Sequence, residues 1–549
     1  MTHRDSTEER TAAAAAGERM KIWKSTAWTA GAGALAFLLS GCEAPSGGDS
    51  ELVIGTENLG GYNPVNGYSV DGNSPFYDGL LRLQEDSGSG EMPELAPALA
   101  AEDPQPNDDS TEWTVKLRDD VTFSDGSDFD AEDVAATYEA IVDPEVASES
   151  VDAFRMIKAV KTPDDHTVVF ELDEPTPTFT SRLAVGILPS EAIEEGTPAA
   201  DWKVNSVPVG TGAYTLDSLT EDTAVLTARD DYWRTTPELK SVTLQAYADT
   251  SALAAAVKDG KVSGAAVPPR SVDQIKGDGQ EIHTARTADW RGLTLPSDNP
   301  FTKNAEVRKA LNLAIDREKL VDEVLAGHGT PASTPVGEFY GDAYDPKAEF
   351  DVDLDEAKKL LDEAGWKAGS DGVRAKDGKK AVIAVTYPAG DTVRGDIAAE
   401  ISAQLEQLGV KLEVKGQEWD DIEKDLAGQA IVYAGGEQPY NIDHQIRASL
   451  HTQTKTSGVF DNPANMAVPG ADDVLDHAAV ETDQATADAD YRQVQSQYIE
   501  APSYLIVAFL EHTYVADTEG WDVPDTTFEP HVHGSDWGPW WNLADWKKN

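Results

Sequence analysis

The sequence predicts a mixed α/β protein built in several pieces, and three observations predict it. Residues 381–387 are strand-like, and Val393, Ile397, Ile401, Leu405 and Leu408 follow at helical spacing, ended by Gly409. Residues 410–414 are strand-like again. Strand, helix, strand in that order is the pattern of a parallel βαβ unit. The roughly five hundred residues beyond Cys42 suggest two to four domains. An apolar content of 40% with 13 tryptophans belongs to a folded chain.

The elements follow in order. Residues 51–55 (ELVIG) form a short apolar run, read as a first strand. A glycine-rich loop from 58 to 73 carries Tyr62 and Tyr68. Residues 113–118 (WTVKLR) alternate as a half-buried strand does, and a turn follows at 123–126. Asp130 can cap a helix in which Val134, Tyr138 and Ile141 recur. Residues 166–172, 224–228 and 241–246 read as strands, with a turn at 210–214. Residues 253–260 read as a helix ended by glycine. From Val307 to Leu325 one apolar stripe predicts a helix, on which Arg308 and Arg317 are structural or solvated. Asp353 caps a further helix whose face is Leu354, Ala357, Leu360, Leu361 and Ala364. Residues 504–510 (YLIVAFL) are a late buried strand.

The N-terminus reads as an export signal. Lys21 and Lys24 precede an apolar run from Thr26 to Leu39, too short to span a bilayer comfortably. Asp5, Glu8, Glu9 and Glu18 do not suit a positive leader, so Met20 is the better start. The ending Leu39-Ser40-Gly41-Cys42 resembles a bacterial lipobox, which implies lipidation of Cys42, the only cysteine. Residues 42–50 then form a flexible tether.

Charge and missing motifs exclude some functions. A formal net charge of −55 leaves no basic groove for nucleic acid. The sequence carries no G-x-S-x-G, H-E-x-x-H or P-loop motif. No enzyme activity is therefore expected, and no cofactor. His531 and His533 alternate as two ligands on one strand face would, but no third ligand is in register; a surface loop and no metal site are expected.

Several runs carry a family resemblance. They are residues 93–100 (PELAPALA), 113–138, 209–216 (VGTGAYTL), 229–234 (RDDYWR), 299–332 and 355–366 (DEAKKLLDEAGW). Together, and in this order, they resemble the family 5 solute-binding proteins of peptide and nickel ABC importers. The resemblance implies a two-lobe periplasmic-binding-protein-like fold (type II) with an extra domain inserted in the first lobe. Lobe 1 would be 51–77, 186–292 and 503–549, the extra domain 78–185, and lobe 2 293–502. The chain would cross between lobes, and hinge, near 289–295 and 502–510.

The resemblance also implies a site between the lobes. Peptide binders of this family often hold the peptide ammonium with the aspartate of a W-x-x-D run. Here Tyr433 takes the tryptophan position, Gly436 the aspartate position, and Glu437 stands one residue late. Tyr62, Tyr68, Trp290, Arg291, Tyr433, Glu437 and Tyr440 are the candidate ligand contacts. A tryptophan beside an arginine can stack on a ligand and hold its carboxylate. The expected function is capture of an oligopeptide or dipeptide for an ABC permease, by a lipid-anchored monomer on the outer face of the cell membrane. The alternatives are a nickel or metal-chelate ligand, or peptide-signal sensing without transport.

Overall fold

The computed structural model describes residues 51–549, apart from Asp278, Thr456 and Val532. The expected signal (1–41), Cys42 and the 42–50 tether lie outside the described residues. Among the described residues no helix is long and apolar enough to cross a membrane.

One long mixed sheet runs through the molecule. Its order is Lys411–Gln417, Val382–Pro388, Ala430–Ala434, Glu281–Thr294, Tyr504–Ala516, Gly264–Ala266, Glu51–Thr56, Ser241–Ala246, Thr223–Ala228 and Tyr214–Leu219. Two long strands, Glu281–Thr294 and Tyr504–Ala516, join its halves and pair antiparallel from Glu281↔Ala516 to Thr294↔Tyr504. Their register breaks between Arg286 and Trp290, where Thr287–Asp289 bulge out of the ladder. A bulge bends the strand and re-aims side chains.

The cores change over at that break. Leu505, Val507 and Ala508 pack with Leu293, Ile383 and Ile401. Tyr504, Ile506 and Phe509 pack with Trp290. Tyr514 and Ala516 instead join Ile54 and Leu226. The passage between lobes therefore lies inside both strands, near Thr287–Trp290 and Leu510–Glu511. The first half of the last long strand packs with Leu293 and Ile383, and its end with Ile54 and Leu226.

The βαβ unit forms as read. Val382–Pro388 pairs parallel with Lys411–Gln417 throughout. The helix Thr392–Glu406 between them buries Ile397, Ile401 and Leu405, and the Asp391 side chain caps it by accepting from the Arg394 N–H. Asp353 likewise caps Leu354–Glu363. Asp130 and Asp133 make a reciprocal capping box on Ala131–Val142. That helix covers a small antiparallel sheet of Gln105–Pro106, Glu112–Lys116, Thr167–Leu172 and Ile157–Asp164.

The stripe from Val307 to Leu325 is not one helix. It splits into Ala305–Asn312 and Arg317–Val324. Asp316 caps the second piece by accepting from the Lys319 N–H. Buried Arg317 donates to the carbonyl oxygens of Ala332 and Ile506, both at 2.9 Å, and to Asn312 Oδ1 at 2.8 Å. Arg308 donates to Pro502 O at 2.5 Å and Thr302 O at 3.1 Å. Both arginines satisfy backbone oxygens that the break and the crossover leave open.

Candidate functional site

A cleft between the lobes meets the bulged strands. Its void is about 470 Å³, within the usual range of small-molecule sites. One wall is Gly55–Asn58 with Pro268 and Pro269; the facing wall is the loop Pro388–Arg394 at the C-terminal end of a parallel strand. Arg291 and residues 510–513 form the floor, with His531 and His533 beside them. Arg270 and Asp396 pair across the two walls at 3.0 Å. Both are substantially exposed, so this latch contributes about 1 kcal/mol or less.

Arg291 and Asp289 form a buried ion pair on the first crossing strand. Asp289 Oδ1 also lies 3.1 Å from His531 Nδ1, and Arg291 approaches the same nitrogen at 3.4 Å. Burial, then the Arg394 charge, pull the pKa of Arg291 down. Burial, then Arg291, hold His531 well below the usual histidine range, so its ring is neutral. Arg394 is mostly buried and bonds Asp391 Oδ2 at 2.5 Å. The Nε atoms of both Arg291 and Arg394 are buried and have no hydrogen-bond partner among the described residues. Buried donors of this kind call for an acceptor.

A second network fixes the histidine-bearing segment. His512 Nδ1 lies 2.8 Å from Glu529 Oε2, and its Nε2 lies 3.4 Å from Asp289 Oδ2. Tyr514 OH donates to Glu529 Oε2 at 2.6 Å, and the Gly538 N–H to Oε1 at 2.7 Å. Burial raises Glu529 to about 7 and drives His512 far down.

Glu437 is exposed and follows Gly436, which packs on the bulge. Its charge reaches Arg291, His531 and Tyr433. It also helps raise Asp71, across from it, to about 7, although burial is the larger cause. The cleft thus holds Arg291 with Arg394, Asp391, His531 and His533, and Glu437 acts on it through its charge.

The other candidates do not line this cleft and are engaged in packing and internal hydrogen bonds. Trp290 has no exposed surface and packs on Tyr433 and Tyr504, because neighbouring strand residues point to opposite faces. Trp290 and Arg291 therefore do not meet one ligand from the same side, which corrects the stacking expectation. Tyr433 donates its OH to Phe460 O at 2.6 Å, and Tyr440 to Phe528 O at 3.0 Å. Tyr62 is buried against Tyr68 and Phe76, at ring distances of 5.3 and 4.9 Å. Tyr68 donates to Asp536 Oδ2 at 3.1 Å. His531 and His533, expected on a surface loop, line the cleft instead. Among the described residues no group of three or more His, Cys, Asp or Glu side chains is arranged to hold a metal ion.

A second void, about 500 Å³, lies behind the crossing strands. Its arginines are already engaged: Arg286 holds Asp86 through Nε at 2.6 Å and Nη2 at 2.7 Å, and Arg317 holds carbonyl oxygens. It offers no free cationic donor comparable to those of the cleft.

Residues 94–457 match the family model of bacterial extracellular solute-binding proteins, family 5, middle region. The chain belongs to the family 5 bacterial extracellular solute-binding proteins. Protein XP55 of Streptomyces lividans is 34% identical over 514 residues, covering 91% of this chain and 92% of XP55. Two crystal structures share the two-lobe fold. NikZ of Campylobacter jejuni, in complex with Ni(L-His), has a TM-score of 0.78 at 24% identity, covering 91% of this chain and 100% of NikZ. AppA of Bacillus subtilis, in complex with a nonapeptide, has a TM-score of 0.72 at 23% identity, covering 91% and 99%. This family 5 protein thus shares a fold with one partner of a metal chelate and one of a peptide.

Proposed function

We propose that this family 5 protein captures a short peptide, bound as a zwitterion, for an ABC importer. The observation that carries this is the pair of cleft arginines, Arg291 and Arg394, each with an unpartnered buried Nε, near the exposed carboxylate Glu437. Two guanidinium groups suit a carboxylate, and a carboxylate suits an ammonium. Closure about the bulge at Thr287–Asp289 would bring the walls onto the ligand. A void of about 470 Å³ favours a few residues over a long peptide.

Calorimetry on a free tripeptide, its N-acetylated form and its C-terminal amide tests this reading. Blocking either end lowers affinity by about tenfold or more. In Glu437→Gln the free peptide weakens while the acetylated one does not. Small-angle scattering of the same samples shows a smaller radius with ligand. Equal affinity for all three peptides would overturn the zwitterion.

A second reading has its own observation. Asp289 beside His531 Nδ1 leaves Nε2 of a neutral ring with its lone pair, the arrangement by which a carboxylate prepares a histidine for a metal. A nickel chelate, as in NikZ, would use it. Binding that disappears when EDTA strips the metal, and that ignores peptide end groups, selects this reading.

Anchoring through a lipid on Cys42 is part of the proposal. It rests on the Leu39-Ser40-Gly41-Cys42 ending. Cys42→Ala releases the protein into the medium or leaves it unprocessed. Normal processing with unchanged membrane association rules the anchor out.

A further inference from the structure

Arg82 belongs to a chain with 99 acidic side chains and 44 basic ones. Even so, among the described residues no hydrogen bond or ion pair reaches its half-buried guanidinium. It lines a cavity of about 70 Å³ with Arg234, Asn73, Ser74, Ser535 and Asn542. This cavity is separate from the ligand cleft, sharing none of its lining residues. Four distant stretches wall it: residues 72–79, the short strand Leu81–Arg82 with Leu83, residues within 213–244 that include Arg234, and the C-terminal stretch 535–544; Asp78 and Asp536 are among the lining residues.

The carboxylates nearby are already engaged. Asp78 accepts from Thr211 Oγ1 at 3.0 Å, Tyr232 OH at 3.0 Å and Trp233 Nε1 at 2.9 Å. Asp545 accepts from Arg234 Nη2 at 3.0 Å and from Asn542 Nδ2 at 2.7 Å. Asp536 accepts from Tyr68 OH at 3.1 Å. Arg82 is left facing a second guanidinium. Burial, then the Arg234 charge, pull its pKa down, against smaller opposing effects of Asp545, Tyr232 and Asp78.

We propose that this cavity is a site for a small oxyanion of phosphate or sulfate size, held between Arg82 and Arg234. Planar guanidinium forks match tetrahedral oxyanions. Size sets the class of ligand. The void is several-fold smaller than the 470 Å³ of the ligand cleft, which suits a small ion rather than a peptide. The bound ion would tie the C-terminal segment to the loop that carries Tyr62 and Tyr68.

The test is thermal unfolding of the full chain in phosphate against chloride at matched ionic strength, for the wild type and Arg82→Gln. The variant breaks no hydrogen bond of the described residues, so it folds. The wild-type midpoint rises with phosphate and saturates; the Arg82→Gln midpoint does not move. Phosphorus resonance broadening by the wild type, reversed by sulfate, reads the same binding without unfolding. An equal rise in both proteins, a rise that never saturates, or no broadening would overturn the proposal.

Discussion

Arg394→Gln lowers affinity for a free-acid peptide by about thirtyfold or more while the protein stays folded. The guanidinium is mostly buried, bonds Asp391, and has an Nε with no partner. Removing one side of a buried charged contact costs about 2–5 kcal/mol, and each 1.4 kcal/mol is a factor of ten. The fold tolerates the change because Asp391 caps the helix through the backbone N–H of residue 394, which glutamine keeps. A C-terminal amide lacks the charge that Arg394 would meet. It binds weakly to the wild type and loses little more in the variant. Calorimetry on both peptides and both proteins gives the coupling directly. Equal losses for acid and amide would place the carboxylate elsewhere in the cleft.

Local signals carried much of the fold. Asp130, Asp353 and the strand-like run at 381–387 needed only their neighbours to be read, and each element formed. The helices Ile442–Leu450, Ala471–Ala478 and Gln484–Glu500 were not read. The last of these buries Asp488 and Gln495 on the same face as Tyr491 and Tyr498, which blurs its apolar stripe. The split at 312–317 was also missed, because its cause is a contact from far along the chain: Arg317 answers Ile506 O.

The site was less legible for the same reason. Arg291 and Glu437 were named through resemblance; Arg291 lines the cleft, and the Glu437 charge reaches it. Arg394 and His531 were missed as contacts, although one signal pointed to Arg394. Ligands of open α/β sheets sit beyond the carboxyl ends of the strands, and residues 388–394 form the loop after a parallel strand. No comparable local signal existed for His531. Its place depends on Glu529 and Asp289, which meet only through strands more than two hundred residues apart.

Gly436→Ala destabilises the protein by several kcal/mol and weakens ligand binding with it. The residue sits at φ +102°, where L side chains rarely go. A Cβ there would stand 2.4 Å from Ala288 O, 2.5 Å from Ala288 C and 2.7 Å from Asp289 N. All three are backbone atoms of the bulge, so no flexible side chain can move aside. Strained dihedrals cost about 1–3 kcal/mol and overpacking about 1–3 more. The position also carries function, because Gly436 O accepts from the His531 N–H at 2.9 Å. Pushing the loop off Asp289 would carry His531 with it and loosen the Arg291 pair. Exposed Glu437 is the control: Glu437→Ala changes stability by about 0.5 kcal/mol or less. Urea midpoints for the two variants separate the effects, and a Gly436→Ala midpoint equal to the wild type would show that the bulge yields easily. An aspartate at 436, where the peptide-binder pattern has one, meets the same backbone and fails for the same reason. In this chain the acid of that loop stands at the neighbouring position, which Glu437 occupies.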